Sequence, residues 1–298
     1  MRIVAALGGN ALLRRGERLD HDVQRAHLAQ AARALGPLAE GNELVITHGN
    51  GPQIGMLALQ TSTASGPYPL DVLGAETEGM IGYLLEQELG NVIGSERVVT
   101  VLTQVIVAVD DPAFRAPAKP IGPVYGEGEA HRLARERGWN IARDGAKWRR
   151  VVASPRPCNI VELNTIRVLI DAGVIVICAG GGGVPVVREL NRLRGVEAVV
   201  DKDLTAALLA RDIGADALLL LTDVDAVYAN FGKADARALR HVTPAEAETL
   251  ALPAGSMRPK VAAAAWFATQ TGHYACIGAL EHAADVLHGR GGTSVARQ

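Results

Sequence analysis

Lysine is the residue this sequence uses most sparingly where charge is concerned. Only five of its 30 basic residues are lysine, and the rest are arginine. Four of the five stand in unusual settings: Lys119 in Ala-Lys-Pro-Ile-Gly, Lys202 in Asp-Lys-Asp, Lys233 in Phe-Gly-Lys-Ala and Lys260 in Met-Arg-Pro-Lys. Lysine offers a compact, rotatable ammonium where arginine offers a rigid planar fork. A chain that otherwise writes arginine marks with lysine the places that need a point charge. Asp201-Lys202-Asp203 is the densest of these. It lies between the apolar run Ala198-Val199-Val200 and the helix-forming stretch 204–210, where an aspartate can cap a helix and favour its positive end. We read Asp203 as the cap of that helix and Lys202 as the residue that makes the junction a candidate site.

Three glycine-rich turns complement the lysines. Gly8-Gly9-Asn10, Gly49-Asn50-Gly51 and the run of four glycines at 180–183 each follow a short apolar run. Backbone N–H groups freed by such turns, beyond the carboxyl ends of parallel strands, make an anion site without side chains. One such turn is often only a tight connection; three in equivalent positions point to a shared site. No G-x-x-x-x-G-K-[ST] and no well-placed G-x-G-x-x-G occurs, so the P-loop and dinucleotide fingerprints are excluded. Glycine turns for anions with scattered lysines for developing charge suit phosphoryl transfer, which rests on positioning and electrostatics.

These turns need a scaffold. The hydrophobic patterning predicts strands at 4–7, 44–46, 174–178, 217–221 and 274–280 and a β-rich run at 98–109. It predicts helices at 20–38, 53–60, 70–89, 159–172, 243–250 and 260–271, with one from the Asp-Lys-Asp junction to about 212. Alternating strands and helices give a mainly parallel, doubly wound α/β sheet. Segment 110–157, rich in Pro and Gly and holding Trp139, Trp148 and seven basic residues from Arg132 to Arg150, interrupts the pattern as an inserted, protruding subdomain. Mixed with Glu136 and Asp144, its arginines read as a solvated face in preference to an RNA-binding arm.

With 298 residues the chain can bury a substantial core. A formal net charge of -2 gives no global case for nucleic acid. Cys158, Cys178 and Cys276 form no C-x-x-C pair and read as core thiols, with no metal ligand set. No stretch suits a signal peptide or membrane helix, so a soluble, cytoplasmic protein is expected.

Together, Val4-Ala5-Ala6-Leu7-Gly8-Gly9-Asn10-Ala11-Leu12, His48-Gly49-Asn50-Gly51-Pro52-Gln53, Lys119-Pro120-Ile121-Gly122-Pro123, the four-glycine turn with Val184-Pro185-Val186-Val187, Asp201-Lys202-Asp203 and Gly255-Ser256-Met257-Arg258-Pro259-Lys260 resemble the carbamate kinases of the amino acid kinase family, in order and rough spacing over nearly the full chain. The resemblance implies an αβα sandwich formed as one domain. Its N-lobe, about 1–187 with the subdomain inserted, would bind carbamate or carbamoyl phosphate, and its C-lobe, about 188–298, the nucleotide. It implies a homodimer, ATP/ADP with Mg2+, and reversible transfer between carbamoyl phosphate and ADP, as in arginine breakdown, purine degradation or use of another carbamoyl source. Gly8, Gly9, Asn10, Gly49, Asn50 and Gly51, with Gly181 and Gly182, would cradle the phosphoryl group. Lys202 and Lys260 would neutralise its oxygens, Asp203 would orient them, and Lys119 would close over the acceptor. Asp201, Thr222, Asp223, Val224, Tyr228 and Met257 would line the nucleotide pocket.

Many amino acid kinases place a lysine two residues before the first Gly-Gly, where this chain and the carbamate kinases have alanine, here Ala6. Lys119 is the candidate to replace that charge. The sequence departs from the family at Glu78, where Gln is expected, and at Phe231, where Tyr is expected. Glu78 would alter substrate choice as a second carboxylate if it faced the acceptor pocket, but it reads in preference as a helix-surface residue. The loop between Thr61 and Tyr68 is short. Two further readings stay open on the residues alone: a kinase of the same fold with another acceptor, and a nucleotide sensor without turnover, which would be expected to have lost lysines or the aspartate.

Overall fold

The computed structural model describes residues 1–12, 17, 20–61, 68–252 and 257–297. The chain runs β1 (Arg2–Leu7), α1 (Gly9–Leu12), α2 (His21–Leu35), β2 (Glu43–His48), α3 (Gly51–Thr61), α4 (Leu70–Ile93), β3 (Val98–Val101) and β4 (Gln104–Val107). An excursion follows through β5 (Lys119–Tyr125), α5 (Glu127–Arg137), β6 (Asn140–Asp144) and β7 (Lys147–Val152). It returns by β8 (Pro157–Ile160), α6 (Leu163–Asp171), β9 (Ile175–Cys178), β10 (Val184–Glu189) and β11 (Arg192–Gly195). The remainder is α7 (Lys202–Asp212), β12 (Ala217–Thr222), β13 (Val227–Ala229), β14 (Arg237–Leu239), β15 (His241–Val242), α8 (Pro244–Thr249), α9 (Met257–Thr271), β16 (Tyr274–Ala279), α10 (Ala283–Leu287) and β17 (Thr293–Val295).

Eight strands form the central sheet in the order β15-β17-β16-β12-β1-β2-β9-β3. Every pairing is parallel except β16 with β17. Side chains alternate across a strand, and continuous apolar strands bury both faces. Accordingly Val4 and Ala6 of β1 join Val45, Val176, Leu218 and Leu220 in a core under α6, α7, α8 and α9. Ile3, Ala5 and Leu7 join Ile46, Ile177, Leu219 and Leu221 in a second core under α2, α4 and α10. The result is the three-layer α/β sandwich expected from the sequence.

Three local expectations need correction. The run 98–109 is two strands in different sheets, because the chain turns at Leu102-Thr103 and β4 joins β8, β10 and β11 in a four-stranded sheet. The expected helix at 159–172 begins only at Leu163, since Pro157–Ile160 pairs antiparallel with β4; its apolar spacing was shared by a strand and a helix. Cys178 and Cys276 are buried, but Cys158 is exposed on β8.

The excursion builds its own antiparallel sheet, β5-β7-β6. Its arginines are largely occupied: Arg132 pairs with Glu136 and Arg149 with Asp144, while Arg137 and Arg150 both stack on Trp139. This sheet meets the main body where β5 crosses α3. A Cβ added to Gly55 would stand 2.1 Å from Gly122 Cα, and Gly122 itself has φ +70°. Only two glycines allow this backbone contact.

Gly55→Ala is therefore expected to lose about 1–3 kcal/mol through overpacking. Gly79→Ala, in α4 with open space at its Cβ, is expected to gain about 0.5–1 kcal/mol. Urea denaturation of the two variants checks the contrast.

Candidate active site

Parallel pairing places the carboxyl ends of β1, β2, β9 and β12 on one side of the sheet, and all three glycine turns lie there. The first two are hydrogen-bonded into the sheet: Gly8 N donates to Leu221 O at 2.8 Å, and Gly49 N donates to Leu7 O at 3.1 Å. They also touch, for a Cβ on Gly49 would meet Gly9 N at 3.2 Å. Gly9 opens α1 and Gly51 opens α3, so N–H groups left without helical partners face this edge.

The third turn is threaded between the other elements. A Cβ on Gly181 would lie 2.1 Å from Asn50 Nδ2, and one on Gly182 would lie 2.6 Å from Val200 O. Thr205 Oγ1 of α7 donates to Gly182 O at 2.9 Å. The sequence suggested that bare backbone here serves close approach by a ligand. The structure shows that these glycines are already required by Asn50 and by the strand-to-helix junction before Lys202.

At that junction Asp201 is the cap. Its Oδ1 accepts from the backbone N–H of Asp203 at 3.0 Å and of Leu204 at 3.4 Å, which corrects the assignment of the cap to Asp203. Asp201 Oδ2 accepts from Lys119 Nζ at 3.0 Å, which ties β5 to the start of α7. Asp203, one turn position inside the helix, accepts from both buried lysines: Lys202 Nζ on Oδ1 at 2.6 Å and Lys260 Nζ, from α9, on Oδ2 at 3.0 Å. A role for Asp203 in orienting the lysines would require this geometry.

Burial sets the charges. It pulls the Lys202 ammonium down to about 8, with Lys260 adding repulsion, although Asp203 opposes the shift. Burial alone would raise Asp203, but the charges and hydrogen bonds of Lys202 and Lys260 hold it well below the usual carboxylate range. Two ammonium groups against one carboxylate leave the cluster short of negative charge. An incoming anion is the natural fourth member.

The nucleotide-side candidates are more loosely gathered. Thr222, at the end of β12, is buried and donates from Oγ1 to Asp223 Oδ1 at 3.0 Å; Asp223 is exposed and Val224 half-buried. Tyr228 donates to Asp225 at 2.8 Å and packs edge-on against Phe231. Met257 starts α9, three residues before Lys260, on the same helix face. Among the described residues no hydrogen bond or ion pair joins Tyr228 or Met257 to the lysine cluster. The expectations for the Asn10 side chain, loop 62–67 and Gly255-Ser256 lie outside the described residues.

Sequence reasoning missed the support beneath the turns. Asn50 Nδ2 donates to Thr77 Oγ1 at 2.9 Å, and Gly180 N donates to Glu78 Oε1 at 2.8 Å. Glu78 is 1% exposed, which corrects its placement on the helix surface: α4 turns this side inward, against the glycine turn. A strong reading of α4 as fully buried on two sides would have flagged it. Beside it, His48 is buried and driven down to about 4 by desolvation.

The family model of the amino acid kinase family matches residues 1–279. A carbamate kinase of Rhizobium meliloti (strain 1021) is 52% identical over 301 residues, covering 99% of this chain and 93% of the relative. Carbamate kinase from Giardia lamblia bound to citric acid superimposes with a TM-score of 0.93 at 40% identity, covering 100% of this chain and 98% of the other. The same enzyme bound to AMP-PNP gives 0.90 at 41% identity, with 100% and 98% covered. The chain belongs to the amino acid kinase family and, within it, to the carbamate kinases.

Proposed function

We propose that this chain catalyses reversible phosphoryl transfer between carbamoyl phosphate and MgADP, giving ATP and carbamate, which decomposes to ammonia and carbon dioxide. The observation that carries the reading is the convergence of Lys202 and Lys260 on Asp203, at 2.6 and 3.0 Å, beside three glycine turns. The similarity to a carbamate kinase bound to AMP-PNP supports a nucleotide as one substrate.

The roles are assigned by the resemblance to the carbamate kinases and are chemically suited to phosphoryl transfer. Gly8, Gly9, Asn10, Gly49, Asn50 and Gly51, with Gly181 and Gly182, cradle the transferred group. Lys202 and Lys260 neutralise its oxygens as charge develops, held in position by Asp203, so no covalent enzyme intermediate is needed. Lys119 serves the acceptor side from the excursion sheet. Asp201, Thr222, Asp223, Val224, Tyr228 and Met257 bound the nucleotide. Mg2+ enters as part of the nucleotide substrate, consistent with its habit of keeping water and phosphate oxygens as ligands. Among the described residues no cluster of three or more His, Cys, Asp or Glu forms a cage for it.

The finer parts of the reading are two lobes meeting near residue 187, a homodimer, a cytoplasmic setting and service in arginine breakdown. No described helix is long and apolar enough to cross a membrane. Light scattering tests the dimer.

Purified protein with carbamoyl phosphate and MgADP is expected to form ATP, read by luciferase; a rate no higher than the non-enzymatic one overturns the proposal. Lys202→Met is expected to cut kcat by about 10²–10³-fold without lowering Tm, because it removes a charge that burial disfavours. Asp203→Asn leaves two ammonium groups without their shared partner and is expected to cost about 3–5 kcal/mol as well as activity. Calorimetry beside turnover separates the two.

The pH dependence has a definite sign. In the free enzyme the Lys202 ammonium is lost above about 8, so kcat/KM for MgADP is expected to fall as pH rises through that value. In Lys202→Met that decline is expected to vanish along with most of the rate.

A further inference from the structure

Glu78 is a buried carboxyl for which the phosphoryl-transfer reading has no use. It lies on α4 next to Thr77, and the two neighbours hold the two sides of the phosphate cradle. Thr77 Oγ1 commits its own hydrogen to Gly74 O at 2.9 Å and so accepts from Asn50 Nδ2. Glu78 Oε1 accepts from Gly180 N. Asn50 in turn packs on Gly181, and Gly182 is pressed against Val200 O, with Lys202 N at 3.2 Å from its Cβ position. A shift at Gly180 is therefore passed along the turn to Asn50 on one side and to the Lys202 junction on the other.

The one well-formed hydrogen bond to the carboxyl is on Oε1, from Gly180 N, while Thr103 bears on it more loosely. Among the described residues Glu78 Oε2 is buried with no hydrogen-bond partner, and so is His48 Nε2. Both side chains wall the same point, since a Cβ on Gly180 would lie 2.4 Å from His48 Nε2 and 2.9 Å from Glu78 Cγ. A carboxylate has about four acceptor sites to satisfy, and an ionised one with a bare buried oxygen is costly. The neutral acid fits better, with the proton on Oε2 and the carbonyl Oε1 facing Gly180 N.

We propose that Glu78 is a positioning residue for phosphoryl transfer, acting as an uncharged carboxyl whose Oε1 fixes Gly180 N and with it the turn Gly180–Gly183 that sets Asn50 against the Lys202 junction. The inference rests on the function proposed above. Burial lifts the Glu78 carboxyl to about 8, while the Gly180 N–H and Thr103 pull the other way without overcoming it. The titratable groups bearing on it are His48 on β2, kept neutral by burial, Cys178 on β9, whose thiol burial pushes up, and Glu162 ahead of α6; Lys202 lies beyond His48. The folded carboxyl binds its proton more tightly than the unfolded one, so its contribution to stability is complete at low pH and is lost as pH rises towards 8.

Two variants test this beside the wild type. Glu78→Ala removes the acceptor and is expected to lower kcat by about tenfold or more with little change in the KM for MgADP, whereas Glu78→Gln keeps the acceptor, cannot ionise, and restores kcat to within about threefold. With nucleotide saturating, the phosphates hold Lys202 protonated, so the wild-type decline of kcat above about pH 8 reports Glu78. It is expected to disappear in Glu78→Gln. Wild-type kcat in Glu78→Ala, no recovery in Glu78→Gln, or an unchanged alkaline decline in Glu78→Gln overturns the inference. Should Glu78→Ala not fold, the pH arm of Glu78→Gln decides. Should the wild type itself form no ATP, the function proposed above fails, and Tm decides the buried acid: the advantage of Glu78→Gln over wild type is expected to widen from pH 5 to 8, and a constant difference overturns it.

Discussion

Everything at the site depends on one carboxylate holding two buried ammonium groups. Lys202 and Lys260 come from different helices, α7 and α9, and each is nearly removed from water. Without Asp203 between them their repulsion and desolvation would drive at least one to lose its proton. With it, Asp203 stays ionised, and Lys202 is held at the edge, near 8. Such a triad is weak evidence for stability, since desolvation consumes most of the attraction. Its value lies in what it lacks. One negative charge against two positive ones in a dry setting leaves a local excess of positive charge that favours an anion.

The fold brings this triad to the glycine turns by simple means. Continuous apolar strands bury both faces of the sheet, so helices cover both sides and every parallel strand ends on the same edge. The turns at that edge then interlock through backbone. Gly49 meets Gly9, Gly181 meets Asn50, and Gly182 meets the segment leading to Lys202. The cradle is therefore a single packed unit, and α4 underpins it through Thr77 and Glu78.

Much of this was legible in the sequence. The glycine turns, the scarcity of lysine and the alternation of strands and helices sufficed for the fold class and marked the Asp-Lys-Asp junction, whereas the pairing of Lys202 and Lys260 with Asp203 came only from the resemblance to the carbamate kinases. The cap was not legible, because both Asp201 and Asp203 stand where an N-cap is plausible, and only the side-chain directions separate them. Glu78 was misplaced because α4 is apolar on several sides; a glutamate there reads as surface by residue type, although the helix is covered by the glycine turn as well as by the sheet. The strand at Pro157–Ile160 was hidden because Ile160 fits the helical spacing of α6 and the cross-strand partner, β4, is about fifty residues away. Such non-local pairing leaves no local signal.

The third lysine follows a different logic. Lys119 sits on β5, in a sheet separate from the central one, and its partner Asp201 is already engaged in capping α7. Both side chains keep about a fifth to a quarter of their surface in water, and ion pairs with that access contribute at most about 1 kcal/mol. Lys202 and Lys260 are held by burial on all sides, but Lys119 is held by a contact that solvent or a stronger anion can replace at small cost. The Gly55–Gly122 contact, in contrast, is backbone against backbone and cannot adjust without moving a strand. Ile121 and Val152 of the excursion sheet also join Ile54, Leu70, Leu73 and Val199 in a buried apolar cluster, so the sheet is fixed to the main body by packing while the Lys119 ammonium is held there only by an ion pair.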